Sequence, residues 1–250
     1  MQRNSDFIVV IPARYGSKRF PGKPLKKILG IPMIIRTCLQ CLKIVKNSQL
    51  IVATDDIKIK KCCEKYSINS ILTSKKCKTG TDRVAEVAKK IKARNYINVQ
   101  GDEPIFNPDD LSKMLKESKQ NKNKILLGYT KIKNKINFNN KNIPKVVFDK
   151  NENLLYASRS TIPSSKKNKK SPCWRQVLVY SFPRSKILKF YKIKKKTKLE
   201  KIEDIEILRF LEIGFNVKLV KMSNKSYPVD TKRDLYQVEK FLIKKKIDLI

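Results

Sequence analysis

Apolar and polar positions alternate along this chain in a repeating order. Five consecutive apolar residues, Phe7 to Ile11, carry β-branched side chains and have the character of a buried strand in a parallel sheet. Pro12 follows, and without an amide proton it is expected to end that strand. Ile34, Ile35, Cys38, Leu39, Leu42 and Val45 then recur at helical spacing. Leu50–Ala53 reads as a strand, 57–66 as a helix, Ile71–Thr73 as a strand, 81–93 as a helix and Tyr96–Val99 as a strand. A further helix is expected over 109–118. Alternating strands and helices of this kind predict an α/β domain with a parallel sheet and right-handed crossovers.

The order changes after about residue 124. Strands are predicted at 125–130, 145–148, 154–157 and 177–182, with a lysine- and asparagine-rich connection over 131–142 and a low-complexity run, S-S-K-K-N-K-K-S-P, over 164–172. A helix begins at 187, a second is expected over 199–213 with Gly214 ending it, and 217–221 is an edge or returning strand. A last amphipathic helix follows Tyr227–Leu235 and runs to Phe241. The expected fold is therefore a three-layer α/β domain with a mixed sheet. Its first half spans about 1–124, a smaller α+β excursion about 125–200, and a return to the core about 201–250.

Several stretches carry candidate chemistry. After the first strand, the segment Arg14–Leu25 holds Gly16, Gly22, Pro21, Pro24 and four cations, Arg14, Lys18, Arg19 and Lys23. A cationic, glycine-containing loop beyond the carboxyl end of a strand suits phosphate binding. It matches neither the G-x-x-x-x-G-K-[ST] nor the G-x-G-x-x-G pattern. Asp55 and Asp56 end the second strand, where they either meet a ligand or cap the next helix. Gly80 precedes a helix N-terminus at Thr81 or Asp82. Arg83 in that helix's first turn opposes the helix dipole and is expected to reach toward an anion. Asp102 and Glu103 follow a strand and a glycine. Asn107 and Asp109 remain to cap the next helix, so Asp102 is expected to hold Mg²⁺ together with substrate phosphates. Asp230 is either the N-cap of the last helix or a second metal carboxylate.

Composition narrows the field. The chain has 250 residues, 58 Lys and Arg against 22 Asp and Glu, a formal net charge of +36, and no histidine. The missing histidine excludes Ser-His-Asp and Cys-His triads and two-histidine metal sites. The positive charge is scattered rather than striped and accompanies no nucleic-acid-binding signature, so no specific nucleic-acid partner is expected. The six cysteines, Cys38, Cys41, Cys62, Cys63, Cys77 and Cys173, complete no zinc site and are expected to be free thiols. No run of 18 apolar residues and no signal-peptide pattern is found, which points to a cytoplasmic protein without a membrane partner.

Taken together and in order, I-P-A-R-Y-G-S-K-R-F-P-G-K-P-L, A-T-D-D, T-G-T-D-R-V-A-E, N-V-Q-G-D-E-P and P-V-D-T-K-R-D-L resemble the 3-deoxy-manno-octulosonate cytidylyltransferases, or CMP-Kdo synthetases. The resemblance spans nearly the whole chain and is weaker from about 160 to 225. It implies that the anomeric hydroxyl of a 3-deoxy sugar acid attacks the α-phosphorus of CTP and pyrophosphate leaves. It further implies that Arg14, Ser17, Lys18 and Lys23 contact the CTP phosphates, with Arg83 near the nucleotide. Arg14, Lys23 and Asp102 would be the catalytic set, and Asp102 and Asp230 would hold Mg²⁺. Gln100 would lie near the sugar or base. Arg159 would pair with the sugar carboxylate, and Tyr180, Glu200 and Glu206 would line the sugar pocket. The resemblance also implies a homodimer.

Two motifs depart from the family pattern. The usual H-L-G-I-Y-G-Y is here Q-V-L-V-Y-S-F, with Gln176 in place of the histidine and Leu178 and Ser181 in place of glycines. The usual L-E-Q-L-R is I-E-I-L-R, with Ile207 in place of glutamine. CTP use is expected to be kept and sugar preference to shift. The rival readings are a cytidylyltransferase for a sialate-like nonulosonic acid, which the G-K-P-L segment disfavours, and a basic nucleic-acid-binding protein.

Overall fold

The computed structural model describes residues 5–16, 20–133, 135–166, 172–226 and 228–245. Its N-terminal half alternates as the apolar pattern predicts. β1 (Ser5–Ala13) leads through a small hairpin, β2 (Lys27–Ile28) and β3 (Ile31–Pro32), into α1 (Met33–Leu42). Then come β4 (Leu50–Thr54), α2 (Ile57–Lys65), β5 (Ser70–Leu72), α3 (Gly80–Lys90), β6 (Ala93–Val99) and α4 (Pro108–Gln120). The second half holds β7 (Ile125–Lys131), α5 (Lys135–Asn139), β8 (Lys145–Phe148), β9 (Leu154–Ser158) and β10 (Trp174–Pro183). It ends with α6 (Arg184–Lys192), α7 (Lys198–Glu203), α8 (Ile207–Glu212), β11 (Val217–Lys221) and α9 (Lys232–Lys244).

The main sheet runs β11-β7-β10-β6-β1-β4-β5, with β8 and β9 joined to it beside β10. β1 is parallel to both β4 and β6, while β10 is antiparallel to β6 and β7. The sheet is thus mixed, as expected, and β10 is the strand that reverses it. β1 does not stop before Pro12 but continues to Ala13 alongside β4. Its pairing with β6 ends at Val10, so Pro12 sits where the strand has one neighbour left and its missing amide costs little.

Alternate residues of β1 serve opposite faces. Ile8 and Val10 join one core with Val84, Ala85, Val87 and Ala88 of α3, Phe190 of α6 and Phe210 of α8. Val9, Ile11 and Ala13 join the other, with Ile34 and Ile35 of α1, Ile59 of α2 and Leu111 and Met114 of α4. Sheet and helices therefore form three layers. A third, smaller cluster joins Phe20, Ile28 and Met33 to Val229, Val238 and Leu242. It presses the segment after β1 onto the chain's last helix.

Several elements differ from expectation: β6, β10 and α6 each begin three residues early, at Ala93, Trp174 and Arg184. α3 begins at Gly80 with Thr79 as its cap, in a reciprocal box with Asp82, and ends at Lys90. The helix expected over 199–213 is two helices, because Asp204 takes a left-handed backbone with φ of 51° and breaks it. α5 interrupts the connection over 131–142. Of the low-complexity run, residues 167–171 lie outside the described residues, as do Ser17 and Lys18. No helix among the described residues is long and apolar enough to cross a membrane.

Candidate active site

β1, β4 and β6 are parallel neighbours, so their carboxyl ends open on one edge. That edge receives Arg14 and Tyr15 after β1, Asp55 after β4, and Gln100 to Glu103 after β6. The turn Gln100–Asp102 is drawn tight against β1. A Cβ on Gly101 would lie 2.8 Å from the carbonyl oxygen of Pro12, closer than any side chain could stand. Thr37 of α1 holds the Gly101 carbonyl from the other side, its hydroxyl 3.3 Å away. Asp102 is fixed in place by the backbone on either side of it.

Lys23 meets Asp102 from the segment after β1. Gly22, with φ of 64°, opens a single 3₁₀ turn over Lys23–Leu25, a conformation that favours glycine. The Gly22 amide donates to the Tyr15 carbonyl at 3.1 Å, which closes the loop on itself. From that turn the Lys23 ammonium donates to Asp102 Oδ2 at 2.7 Å, to the Val229 carbonyl at 2.8 Å and to Asp230 Oδ1 at 3.2 Å. Asp102 and Asp230, distant in sequence, therefore converge on one cation. The N-cap of α9 is Thr231, boxed with Asp234, so the alternative that Asp230 caps the helix is set aside. Among the described residues, Asp102 Oδ1 is buried without a hydrogen-bond partner. Beside it, burial and the Asp102 charge push Glu103 up to about 8.

Of the other loop cations, Arg14 is exposed on this edge. It lies near enough to Asp204 to help Lys196 and Arg159 hold that carboxyl below the ordinary range, against a desolvation effect that raises it. The two aspartates after β4 divide their work. Asp56 caps α2, accepting from the Lys58 amide at 2.7 Å. Asp55 accepts from the Tyr15 amide at 3.3 Å and from Arg83 Nη2 at 2.6 Å.

Arg83 corrects an expectation. The anion it reaches is the protein's own: Arg83 is 3% exposed, held by Asp55, the Thr73 hydroxyl and the Ser74 carbonyl. The misplaced charge at a helix N-terminus is neutralised by a carboxylate of the protein's own.

Gln100 and Glu206 meet at the N-terminus of α3. Glu206 Oε2 accepts the Thr81 amide at 2.9 Å and Oε1 accepts from Gln100 Nε2 at 3.2 Å. Burial raises its pKa, while hydrogen bonds from Thr81 and Thr79 oppose the rise. Tyr180 stands across from Asn98 on the neighbouring strands β10 and β6. Its hydroxyl accepts from Gln176 Nε2 at 3.3 Å. Tyr180 is fully buried, and burial, with Glu206, Glu103 and Asp102 nearby, drives its pKa well up. Gln176 Oε1 and both amide atoms of Asn98 are buried without partners. Ile207, where the family pattern has glutamine, packs into the apolar core.

Glu200 does not face open space as a sugar ligand would, whereas the Arg159 side chain is 33% exposed. Glu200 is 0% exposed and spends both oxygens on Arg209, at 2.6 Å each. Arg209, 1% exposed, also reaches Asp82 Oδ1 at 3.0 Å, so the three residues lock α8 and α7 onto the start of α3. Arg159 donates to the carbonyls of Glu203 at 2.6 Å, Asp204 at 2.9 Å and Lys141 at 3.1 Å. A guanidinium so placed terminates α7, where cations are favoured. Arg209, Asn98 and Val229 are the participants that sequence reasoning missed. Buried arginines carry no local signature, and the part played by Val229 is its backbone. All six cysteines are free.

An open, mostly parallel α/β sheet with paired carboxylates and a cationic loop beyond its carboxyl edge is the architecture of a nucleotide-handling enzyme. The chain belongs to the cytidylyltransferase family, whose model matches residues 8–247. It is 37% identical over 238 residues to the 3-deoxy-manno-octulosonate cytidylyltransferase of Fusobacterium nucleatum, covering 94% of this chain and 96% of that one. It is 35% identical over 234 residues to the 8-amino-3,8-dideoxy-manno-octulosonate cytidylyltransferase of Shewanella pealeana, covering 91% of this chain and 94% of the relative. Among solved structures, a CMP:2-keto-3-deoxy-manno-octonic acid synthetase complexed with CTP superposes with a TM-score of 0.89 at 31% identity, over 96% of this chain and 100% of its own.

Proposed function

We propose that this enzyme transfers the cytidylyl group of CTP to the anomeric hydroxyl of a 3-deoxy sugar acid, Kdo or a close variant, for surface-glycan synthesis. The hydroxyl oxygen forms a bond to the α-phosphorus, the bond from that phosphorus to the β-phosphate oxygen breaks, and pyrophosphate leaves. The observation that carries this reading is the convergence of Asp102 and Asp230 on Lys23, beside a loop of cations at the sheet's carboxyl edge. Such a transfer needs charge neutralisation and alignment more than covalent help, which a chain without histidine can supply.

In this scheme Arg14, Ser17, Lys18 and Lys23 hold the phosphates. Asp102 and Asp230 would hold Mg²⁺, which would supply charge neutralisation for the departing pyrophosphate. Two features of the protein fit the ion. The donors are all oxygens, and buried Asp102 Oδ1 still lacks a partner. Among the described residues no three acidic, histidine or cysteine side chains form a metal cage by themselves. That suits Mg²⁺, which binds through one or two carboxylates and completes its shell with phosphate and water.

Gln100, Glu206, Gln176 and Tyr180 form the polar wall proposed for the sugar, with the part-exposed Arg159 as the cation proposed for its carboxylate. Gln176 and Ile207 alter two polar positions of the family pattern while the nucleotide side is kept, and a single unmatched polar group can discriminate strongly among hydroxylated substrates. We therefore place the sugar preference away from Kdo itself. A relative named for an 8-amino sugar supports looking there. The enzyme is read as a cytoplasmic homodimer. Exposed Leu155 on β9 and Ile136 on α5 support an excursion that meets a second copy.

The test is pyrophosphate release with CTP against Kdo, 8-amino-Kdo and nonulosonic acids. Turnover with a 3-deoxyoctulosonate and not with the nonulosonic acids supports the reading, and Kdo outperforming every other sugar refutes the shift in preference.

A further inference from the structure

We propose that Lys23 is a placeholder cation, which neutralises the Asp102–Asp230 pair in the free enzyme and gives up that position when a divalent cation binds. An ammonium group has three donors. Lys23 spends all three on protein oxygens, Asp102 Oδ2 at 2.7 Å, the Val229 carbonyl at 2.8 Å and Asp230 Oδ1 at 3.2 Å. None is left for a phosphate while this arrangement stands. The same two carboxylates are those proposed for the metal, so one carboxylate pair has two cationic claimants.

The surroundings favour exchange over coexistence. Two carboxylates and a carbonyl are hard oxygen donors of the kind a divalent cation seeks. Asp102 Oδ1 is buried with no partner among the described residues, a lone pair that the ammonium does not use. The backbone of Lys23 is fixed by the Gly22 turn, its amide donating to the Phe20 carbonyl at 3.1 Å. Its four-carbon stem is flexible, so the ammonium can leave without moving the chain. Once released, it lies beside the loop that receives the phosphates. Lys23 is then a positioning residue in the free enzyme and a phosphate ligand in the loaded one.

A state in which the lysine holds the site lowers the apparent metal affinity by the fraction of molecules whose site is open. Removing the ammonium removes that handicap. The probe is Mn²⁺ binding to the nucleotide-free, full-length protein at fixed ionic strength, read from the electron paramagnetic resonance signal of free Mn²⁺. We expect Lys23→Met to bind one Mn²⁺ at least tenfold more tightly than the unsubstituted protein. Asp102→Asn added to that variant should abolish the gain. Lys23→Gln, which keeps a hydrogen-bonding side chain, should show the same tightening and serves if the methionine variant does not fold. Equal or weaker Mn²⁺ binding by the folded variants overturns the exchange.

The inference rests on Asp102 and Asp230 being the metal site. That underlying reading fails separately if Asp102→Asn binds Mn²⁺ as the unsubstituted protein does in the presence of CTP, and the exchange falls with it.

Discussion

The backbone amide of Val229 donates to the carbonyl of Asp102 at 2.8 Å. This one bond ties the turn after β6 to the segment before α9 and delivers Asp230 to the side of Asp102. Neither residue's side chain is needed for it. The paired carboxylates are thus set by main-chain geometry, with Phe20, Val229 and Val238 packing beneath.

Neutralising either aspartate should remove activity without unfolding the protein. Asp102→Asn and Asp230→Asn each keep size and shape but lose the charge proposed to bind the metal. We expect kcat for pyrophosphate release to fall by about 100-fold or more in each, the scale of losing one preorganised electrostatic group. Circular dichroism should be unchanged. A fall below tenfold in both would remove the pair from the chemistry.

Arg209→Met should act on the fold first. It leaves buried Glu200 and half-buried Asp82 without their cation. Removing one partner of a buried ion pair costs about 3–5 kcal/mol. Urea unfolding should show a loss of that order, and Glu200→Gln should be milder because the amide oxygen can still accept from Arg209. A loss under 1 kcal/mol in Arg209→Met would contradict the structural role given to this network.

Glu206 should make stability depend on pH. Burial raises its folded pKa above the ordinary 4.5, so the folded state holds a proton that the unfolded state has released. Its contribution is therefore favourable at low pH and is lost as pH rises from the ordinary glutamate value through the raised one. Relative to Glu206→Gln, the unsubstituted protein should lose stability in urea titrations as pH rises above the ordinary glutamate value. A difference that stays constant or changes in the opposite direction would show that Glu206 is not so perturbed.

The thiols should be slow to react. Burial raises every one of the six, Cys63 and Cys77 to about 12, so few thiolates exist at neutral pH. A disulfide reagent at pH 8 should titrate six thiols in denaturant and modify them far more slowly in the native protein. Rapid native modification of Cys38 or Cys41 would contradict their burial in α1.

Much of this was legible in the sequence because it depended on local pattern. The apolar run of β1, the helical spacing of Ile34, Ile35 and Cys38, and the carboxylates at strand ends each follow from periodicity and placement. What could not be read depended on partners far along the chain. Arg83 reads as a cation facing a ligand until Asp55 is seen against it. Glu200 reads as a sugar contact until Arg209 takes both of its oxygens. Asp230 could have been a cap, and only the box between Thr231 and Asp234 decides otherwise. Asp204 breaks a helix that its neighbours' propensities would have continued.

Gln176 is the position at which sugar choice should be most exposed to substitution. Gln176→His restores the family's residue beside Tyr180. We expect the ratio of kcat/KM between Kdo and 8-amino-Kdo to change by at least tenfold, with KM for CTP unchanged. An unchanged ratio would place sugar choice elsewhere.

The most direct measurement is ³¹P NMR of the protein with CTP, Mg²⁺ and a 3-deoxyoctulosonate. We expect a phosphodiester resonance of a CMP-sugar to grow in step with an equimolar amount of pyrophosphate, and both to vanish in Asp102→Asn. Release of free CMP with no sugar adduct, or persistence of both signals in Asp102→Asn, would contradict it.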